Sequence, residues 1–337
     1  MDILITGGTG YIGKHVVAEA LAAGHRVTAT VRDLRREGEL RAAVGAGDLL
    51  VVALDLLHDE GWAEAVGGKD AVLHTASPVP IRAPEADADV LRPAIEGTER
   101  VLSAAIAAGV PRVVVTSSIA ACLGGQPKGR PYTAADWTDP DDPDTGVYAR
   151  SKTLAERRAW ALVEGSKTGL TTINPGFVFG PPRDAHYASS ISLVERIVKG
   201  KDPMVPRLTF AAVDVRDIAE AHVKALDAPL GQRIIASGPT LWMREMAQIV
   251  KEVPGTRAAT LPAPDVLMRL LARFDPMLRT VISDLGVFKE VDPAPFEALL
   301  GHPVRDVRAA LRETAEFIVA LERSGETLGR AGKSSKR

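Results

Sequence analysis

The chain has 337 residues, enough for one large core or two modest ones, and its 46% hydrophobic and 25% charged content excludes a generally disordered polymer. With 41 basic against 43 acidic residues the net charge is −2, which excludes broad electrostatic attraction to nucleic acid or to an anionic membrane. A single cysteine, Cys122, excludes an internal disulfide framework and suits a reducing compartment. The first segment, MDILITGG, reads as a strand and not as a signal peptide, and no apolar run reaches the ~18 residues of a membrane helix, so a cytoplasmic protein is expected. Strand patterns at 2–6, 25–31, 49–54, 71–75, 112–116 and 170–173 then alternate with helical patterns at 11–23, 35–44, 59–66, 85–108 and 150–167.

Runs such as RVVVTSS are apolar almost throughout, as strands buried on both faces are, so the sheet is expected to be parallel and covered by helices. The alternation predicts right-handed βαβ units and an α/β fold, a Rossmann-type doubly wound parallel sheet. After Gly176 the regularity weakens. A helical pattern at 191–199, a strand–turn–helix in LTFAAVDVRDIAEAHVKAL and a strand in RIIASG precede mostly helical segments. The expected organisation is a dinucleotide-binding domain at 1–178 and 208–240, a smaller, mostly helical substrate lobe at 179–207 and 241–322, and a disordered tail at 323–337.

Directly after the first strand, TGGTGYIG places glycine at 7, 10 and 13 before a helix. That spacing allows a tight turn, close approach to a pyrophosphate and close packing of helix on strand, and the helix start offers free amides. Gly7, Thr9, Gly10, Tyr11, Ile12 and Gly13 are therefore expected against a dinucleotide. The second strand ends in TATVRDLRR. Arg32 at its tip, with Arg35 and Arg36 beyond, suits a 2′-phosphate and favours NADP (NADPH) over NAD, although Asp33 stands beside them. Asp55 is read as a hydrogen-bond acceptor for an adenine amino group or as the cap of the helix at 59–66. Thr75, Ala76, Ser117, Ser118, Pro175 and Gly176 occupy other strand tips, where ligands of open α/β sheets bind.

In VYARSK, Tyr148 and Lys152 stand four residues apart, so on a helix they share a face. Alone, such a pair is an ordinary surface pair. Together with the glycine turn and the serine strand it carries a resemblance: YARSK matches the YxxxK motif of short-chain dehydrogenase/reductases and TGGTGYIG the TGxxGxxG of their extended subfamily. TVRDLRR, HTASP, VVVTSSIAA, YARSKTLAE, NPGFVFGP and VDVRDIAEAH resemble the dihydroflavonol reductase, cinnamoyl-CoA reductase and microbial aldehyde reductase branch. The matches run from residue 3 to about 225.

The resemblance implies Tyr148 as general acid in reduction, Lys152 as the group that lowers its pKa and holds the nicotinamide ribose, and Ser118 as hydrogen-bond donor to the substrate oxygen, with Ser117 as the rival serine. It also implies Pro175 and Val178 along the nicotinamide, Ala76 near the ribose, and Asp55 and Leu56 at the adenine. His186 and Tyr187 are expected near the substrate, Asp217 as a brace or cap of its helix, and Cys122 as a half-buried thiol beside the pocket. Asn174 receives no role. No HxxxH or HExxH spacing occurs, so no metal is expected.

The leading reading is an NADPH-dependent carbonyl reductase, alcohol dehydrogenase in reverse, with a small or mid-sized aldehyde or ketone as its substrate, monomeric or homodimeric. A sugar-nucleotide epimerase or dehydratase, a hydroxysteroid-type dehydrogenase, and a dinucleotide sensor without turnover are the alternatives.

Overall fold

The computed structural model describes residues 1–45, 47–77, 87–125, 129–186, 189–274 and 281–325. Its centre is a sheet of seven parallel strands: β1 (Asp2–Thr6), β2 (Arg26–Val31), β3 (Leu49–Ala53), β4 (Ala71–His74), β5 (Arg112–Thr116), β6 (Gly169–Pro175) and β9 (Arg233–Ala236). Their spatial order is β3-β2-β1-β4-β5-β6-β9, so the chain reverses direction across the sheet between β1 and β4. At such a switch point the two flanking connections leave toward opposite faces and open a crevice at the carboxyl ends of the strands. The middle residues of these strands, Ile3, Leu4, Ile5, Val72, Leu73, Val113 and Val114, are fully buried, as expected of strands covered on both faces.

Helices α1 (Tyr11–Ala22), α2 (Glu37–Val44), α3 (Trp62–Val66), α4 (Ala88–Ala107) and α5 (Val147–Val163) follow their strands as the apolar spacing predicted. Helix α4 lies along α5, and α1 lies against α7 (Val215–Lys224) on the other side. The expected start of α4 at residue 85 falls outside the described residues. Helix α5 begins at Val147 and not at Arg150, with Gly146 in an extended conformation as its N-cap. A first helical turn needs no apolar periodicity, so its pattern starts late, and Tyr148 sits within the helix.

Two strands escaped the sequence reading. After Gly176, β7 (Phe177–Phe179) leaves the main sheet and pairs in parallel with β8 (Thr209–Asp214), whose other edge takes β10 (Thr240–Trp242) antiparallel. With three residues each, β7 and β10 are too short to show alternation. Against this small sheet pack α6 (Ser189–Val198), α8 (Met243–Lys251) and the last described helix, α11 (Val307–Arg323), with α9 (Asp265–Leu271) and α10 (Ala294–Leu300) between them in sequence. Helix α7 is capped by Asp214, which accepts the Arg216 amide at 2.7 Å. Asp217 is fully buried and braces α7 by accepting the Arg305 amide at 2.8 Å; it does not cap the helix. No described helix is long and apolar enough to cross a membrane.

Candidate active site

The glycine turn is shaped by steric demand. Gly7 has φ +73°, which side chains rarely adopt, and a Cβ there would stand 2.8 Å from Ala76 Cα across the switch point. A Cβ on Gly13 would meet the Gly7 carbonyl oxygen at 2.1 Å, so α1 rests directly on the turn. Gly10 is the N-cap of α1 and brings no capping side chain, which leaves the amides of the first turn for an anion. These residues fit a dinucleotide pyrophosphate. The Tyr11 ring is buried, its hydroxyl donates to the Gly180 carbonyl at 2.8 Å, and burial raises its pKa. The Tyr11 side chain is thus spent on the fold, while Thr9 and Ile12 are half-buried.

At the tip of β2, Arg32 is exposed and makes no ion pair among the described residues. Arg35 turns to Asp33, with its Nε 2.8 Å from Oδ2. Arg36 is clamped by Glu39 at 2.7 and 2.9 Å and reaches the Thr9 hydroxyl at 3.3 Å. Of the three arginines, Arg36 reaches the turn, and Arg32 is left without an ion pair among the described residues. Glu39 also pairs with buried Lys14, which bonds Asp184 as well, and His186 lies 3.4 Å from Glu39. The partners of His186 are thus Glu39 on α2 and Asp184, not Tyr148; Tyr187 lies outside the described residues.

Asp55 follows β3 and accepts the Leu57 amide at 2.9 Å. It does not cap α3, whose N-cap is Gly61. The Trp62 indole donates to the Asp55 and His58 carbonyls at 3.3 and 3.0 Å and fixes this loop, with Leu56 half-buried. At the end of β4 the Thr75 hydroxyl donates to the Thr6 carbonyl at 2.6 Å, and the Ala76 amide donates to the Thr6 hydroxyl at 3.1 Å. Beyond β6, the Gly176 amide donates to the Ala236 carbonyl at 3.0 Å, and a Cβ on Gly176 would meet the Ala211 carbonyl oxygen at 2.3 Å. Pro175 and Val178 are buried on either side of that crossing.

The two serines after β5 part company. The Ser118 hydroxyl accepts the Ala120 amide at 3.2 Å and the Tyr148 hydroxyl at 3.4 Å. The Ser117 hydroxyl donates to the buried carboxylate of Glu156 at 2.5 Å. Lys152 is buried, one turn along α5 from Tyr148, and its ammonium donates to the Ser77 hydroxyl at 2.7 Å. Ala76, Ser77, Ser117, Lys152 and Glu156 line one cavity. The strand ends thereby bring Ser118, Tyr148 and Lys152 together with Ala76 and Gly7.

Two expectations are corrected. The Tyr148 pKa is raised, not lowered: burial disfavours the phenolate and outweighs the Ser118 hydrogen bond. The Lys152 ammonium donates to Ser77 and lies 5.9 Å from the centre of the Tyr148 ring. Burial lowers the Lys152 pKa to about 8, against an upward pull from Glu156. Cys122 is fully buried and not half-buried, packed with Ile119, Ala211, Ile235 and Val291, and burial pushes its thiol up to about 12. Sequence reasoning also passed over Ser77, Glu156 and Arg233. Glu156 had a signal, since it continues the Tyr148–Lys152 spacing by one more turn.

The model of the NAD dependent epimerase/dehydratase family matches residues 3–235. The ketoreductase azaE of Aspergillus niger is 35% identical over 292 residues, 78% of this chain and 86% of that protein. Cinnamoyl-CoA reductase 1 of Arabidopsis thaliana is 36% identical over 235 residues, 67% of each chain. Among solved structures, yeast methylglyoxal/isovaleraldehyde reductase Gre2 complexed with NADPH superposes with a TM-score of 0.80 at 25% identity, covering 97% of this chain and 100% of that one. The chain belongs to the NAD-dependent epimerase/dehydratase family, the extended short-chain dehydrogenase/reductases.

Proposed function

We propose that the chain is an NADPH-dependent carbonyl reductase acting on a small or mid-sized aldehyde or ketone. The observation that carries this is the hydroxyl pair Ser118–Tyr148, 3.4 Å apart beside buried Lys152, at the strand edge that also holds the glycine turn. The ketoreductase and the NADPH-bound reductase among its relatives support the reading.

NADPH, when bound, supplies the hydride. The residues of the chain manage the oxygen. Ser118 and Tyr148 both donate hydrogen bonds to the carbonyl oxygen, and as negative charge develops there Tyr148 releases its proton to it. The phenol is protonated at neutral pH, the form that reduction needs; the reverse oxidation needs the phenolate, which burial disfavours, and so a higher pH. Lys152 holds the ribose hydroxyls and steadies the transient phenolate. The turn from Gly7 to Gly13 takes the pyrophosphate, Arg32 and Arg36 the 2′-phosphate, Asp55 and Leu56 the adenine, and Thr75, Ala76, Pro175, Gly176 and Val178 the ribose and nicotinamide. The substrate enters between this edge and the segments 179–207 and 241–322. A reductase fed by NADPH and carrying one buried thiol belongs in the cytoplasm.

The test is NADPH consumption by the purified chain across aldehydes, ketones and UDP-sugars. Turnover of a carbonyl with NADPH preferred to NADH is expected. Interconversion of a UDP-sugar without net consumption would replace this reading with an epimerase.

A further inference from the structure

Beneath Ser118 lies a buried ion pair that the hydride chemistry does not use. Glu156, one turn beyond Lys152 on α5, is 1% exposed, and its two carboxylate oxygens face different ways. Oε1 accepts from Arg233 Nε at 2.6 Å and from the Thr172 hydroxyl at 3.1 Å. Oε2 accepts from the Ser117 hydroxyl at 2.5 Å and from the Asn174 amide at 2.6 Å. The same Asn174 nitrogen donates to the Ser118 carbonyl at 3.2 Å. Arg233 is itself held by the Ala121 and Ala134 carbonyls at 3.2 and 2.6 Å, and its guanidinium covers the Trp137 ring at 3.7 Å.

Stability alone does not call for this arrangement, because a well-packed apolar cluster is generally as stable as a buried ion pair. What an apolar cluster cannot do is fix direction. Four donors, from the turn after β5 and from β6 and β9, converge on one carboxylate carried by the helix that also carries Tyr148 and Lys152. The strand ends and that helix are thereby locked in register, and Ser118 sits at the junction.

We propose that Glu156, anchored by Arg233, is a positioning residue for the reaction: through Ser117 and Asn174 it fixes the turn that sets the Ser118 hydroxyl against Tyr148. The proposal rests on the carbonyl-reductase reading.

Its test compares Glu156→Gln, Ser117→Ala and Thr172→Val with wild type and with Tyr148→Phe, in steady-state carbonyl reduction, NADPH fluorescence titration and thermal melting. Ser117→Ala and Glu156→Gln are expected to lower kcat about tenfold or more, with NADPH affinity within about twofold of wild type, because a small misplacement of a catalytic hydroxyl is enough for that loss. Thr172→Val removes a donor from the oxygen facing away from the serine turn, and its kcat is expected to stay within about twofold. Equal kcat losses in Ser117→Ala and Thr172→Val would overturn the proposal, as would losses that only track melting temperature and cofactor affinity. Should Glu156→Gln fail to fold, the other two variants decide alone. If Tyr148→Phe keeps full activity, the reductase reading fails and takes this proposal with it; if only Tyr148→Phe is impaired, the proposal alone fails.

Discussion

Lys152→Met is predicted to make the protein more stable while disabling it. Lys152 is 6% exposed, and burial brings its pKa from 10.5 to about 8. At about 1.36 kcal/mol per pH unit, holding the charged form in the folded state costs roughly 3 kcal/mol below pH 8. The hydrogen bond to Ser77, 2.7 Å long, returns roughly 1 kcal/mol. The net gain on removing the charge is therefore roughly 2 kcal/mol, or a melting point higher by roughly 3 °C for a chain of this size. The gain depends on pH in a defined direction. The folded pKa lies below the unfolded one, so between pH 8 and 10.5 the unfolded chain binds the extra proton and wild-type stability rises with pH. The advantage of the Lys152→Met variant over wild type is thus full below pH 8 and shrinks to less than about half by pH 9.5. Differential scanning fluorimetry of both proteins at about pH 7 and about pH 9.5 measures it, with turnover expected to fall about a hundredfold in the same variant. A variant less stable than wild type at neutral pH, or a melting-point gap that ignores pH, would refute the reasoning.

Other consequences follow from single contacts. Gly13→Ala forces a Cβ to 2.1 Å from the Gly7 carbonyl oxygen, and NADPH affinity should fall at least about tenfold with a stability loss of roughly 1–3 kcal/mol. Gly38→Ala, with nothing within 4 Å on exposed α2, should instead gain roughly 0.5–1 kcal/mol in the same melting assay. Arg36→Leu should weaken NADPH by roughly 10- to 100-fold and leave NADH nearly untouched in parallel titrations, since only the 2′-phosphate loses a partner. His15, His74 and His222 are buried with pKa values of about 4, 3 and 4, held down by desolvation. Between pH 6.5 and those values the unfolded chain takes up protons that the folded one refuses, so stability is lost as pH falls. The loss approaches roughly 3 kcal/mol per histidine, and the melting point should drop by roughly 5 °C or more from about pH 7 to about pH 5; a flat profile would contradict this.

The parallel sheet was legible because RVVVT and its sister strands are apolar at nearly every position, a pattern that one-sided burial would not produce. The strand tips were legible for the complementary reason: Gly7, Ala76 and Ser118 are small or polar where the interiors are branched and apolar. What stayed hidden depends on where side chains point and on contacts between distant segments. Four-residue spacing puts Lys152 on the face of Tyr148, yet only the fold shows that its ammonium also bonds the Ser77 hydroxyl at the end of β4. Glu156 and Arg233 are 77 residues apart and meet only because β9 is laid beside β6. Cys122 is sealed by Ile235 and Val291, which the chain reaches only after β8 and α7. Among the arginines after β2, local sequence could not tell that Asp33 would occupy Arg35 and leave Arg36 for the glycine turn.

The central claim is that the Tyr148 hydroxyl supplies the proton to a carbonyl reduced by NADPH. It is tested most directly by single-turnover reduction of one accepted aldehyde or ketone by wild type and Tyr148→Phe, each saturated with NADPH. The account predicts unchanged NADPH binding and a hydride-transfer rate lower by about a hundredfold or more in the variant. A rate within a few fold of wild type at equal cofactor occupancy would contradict it.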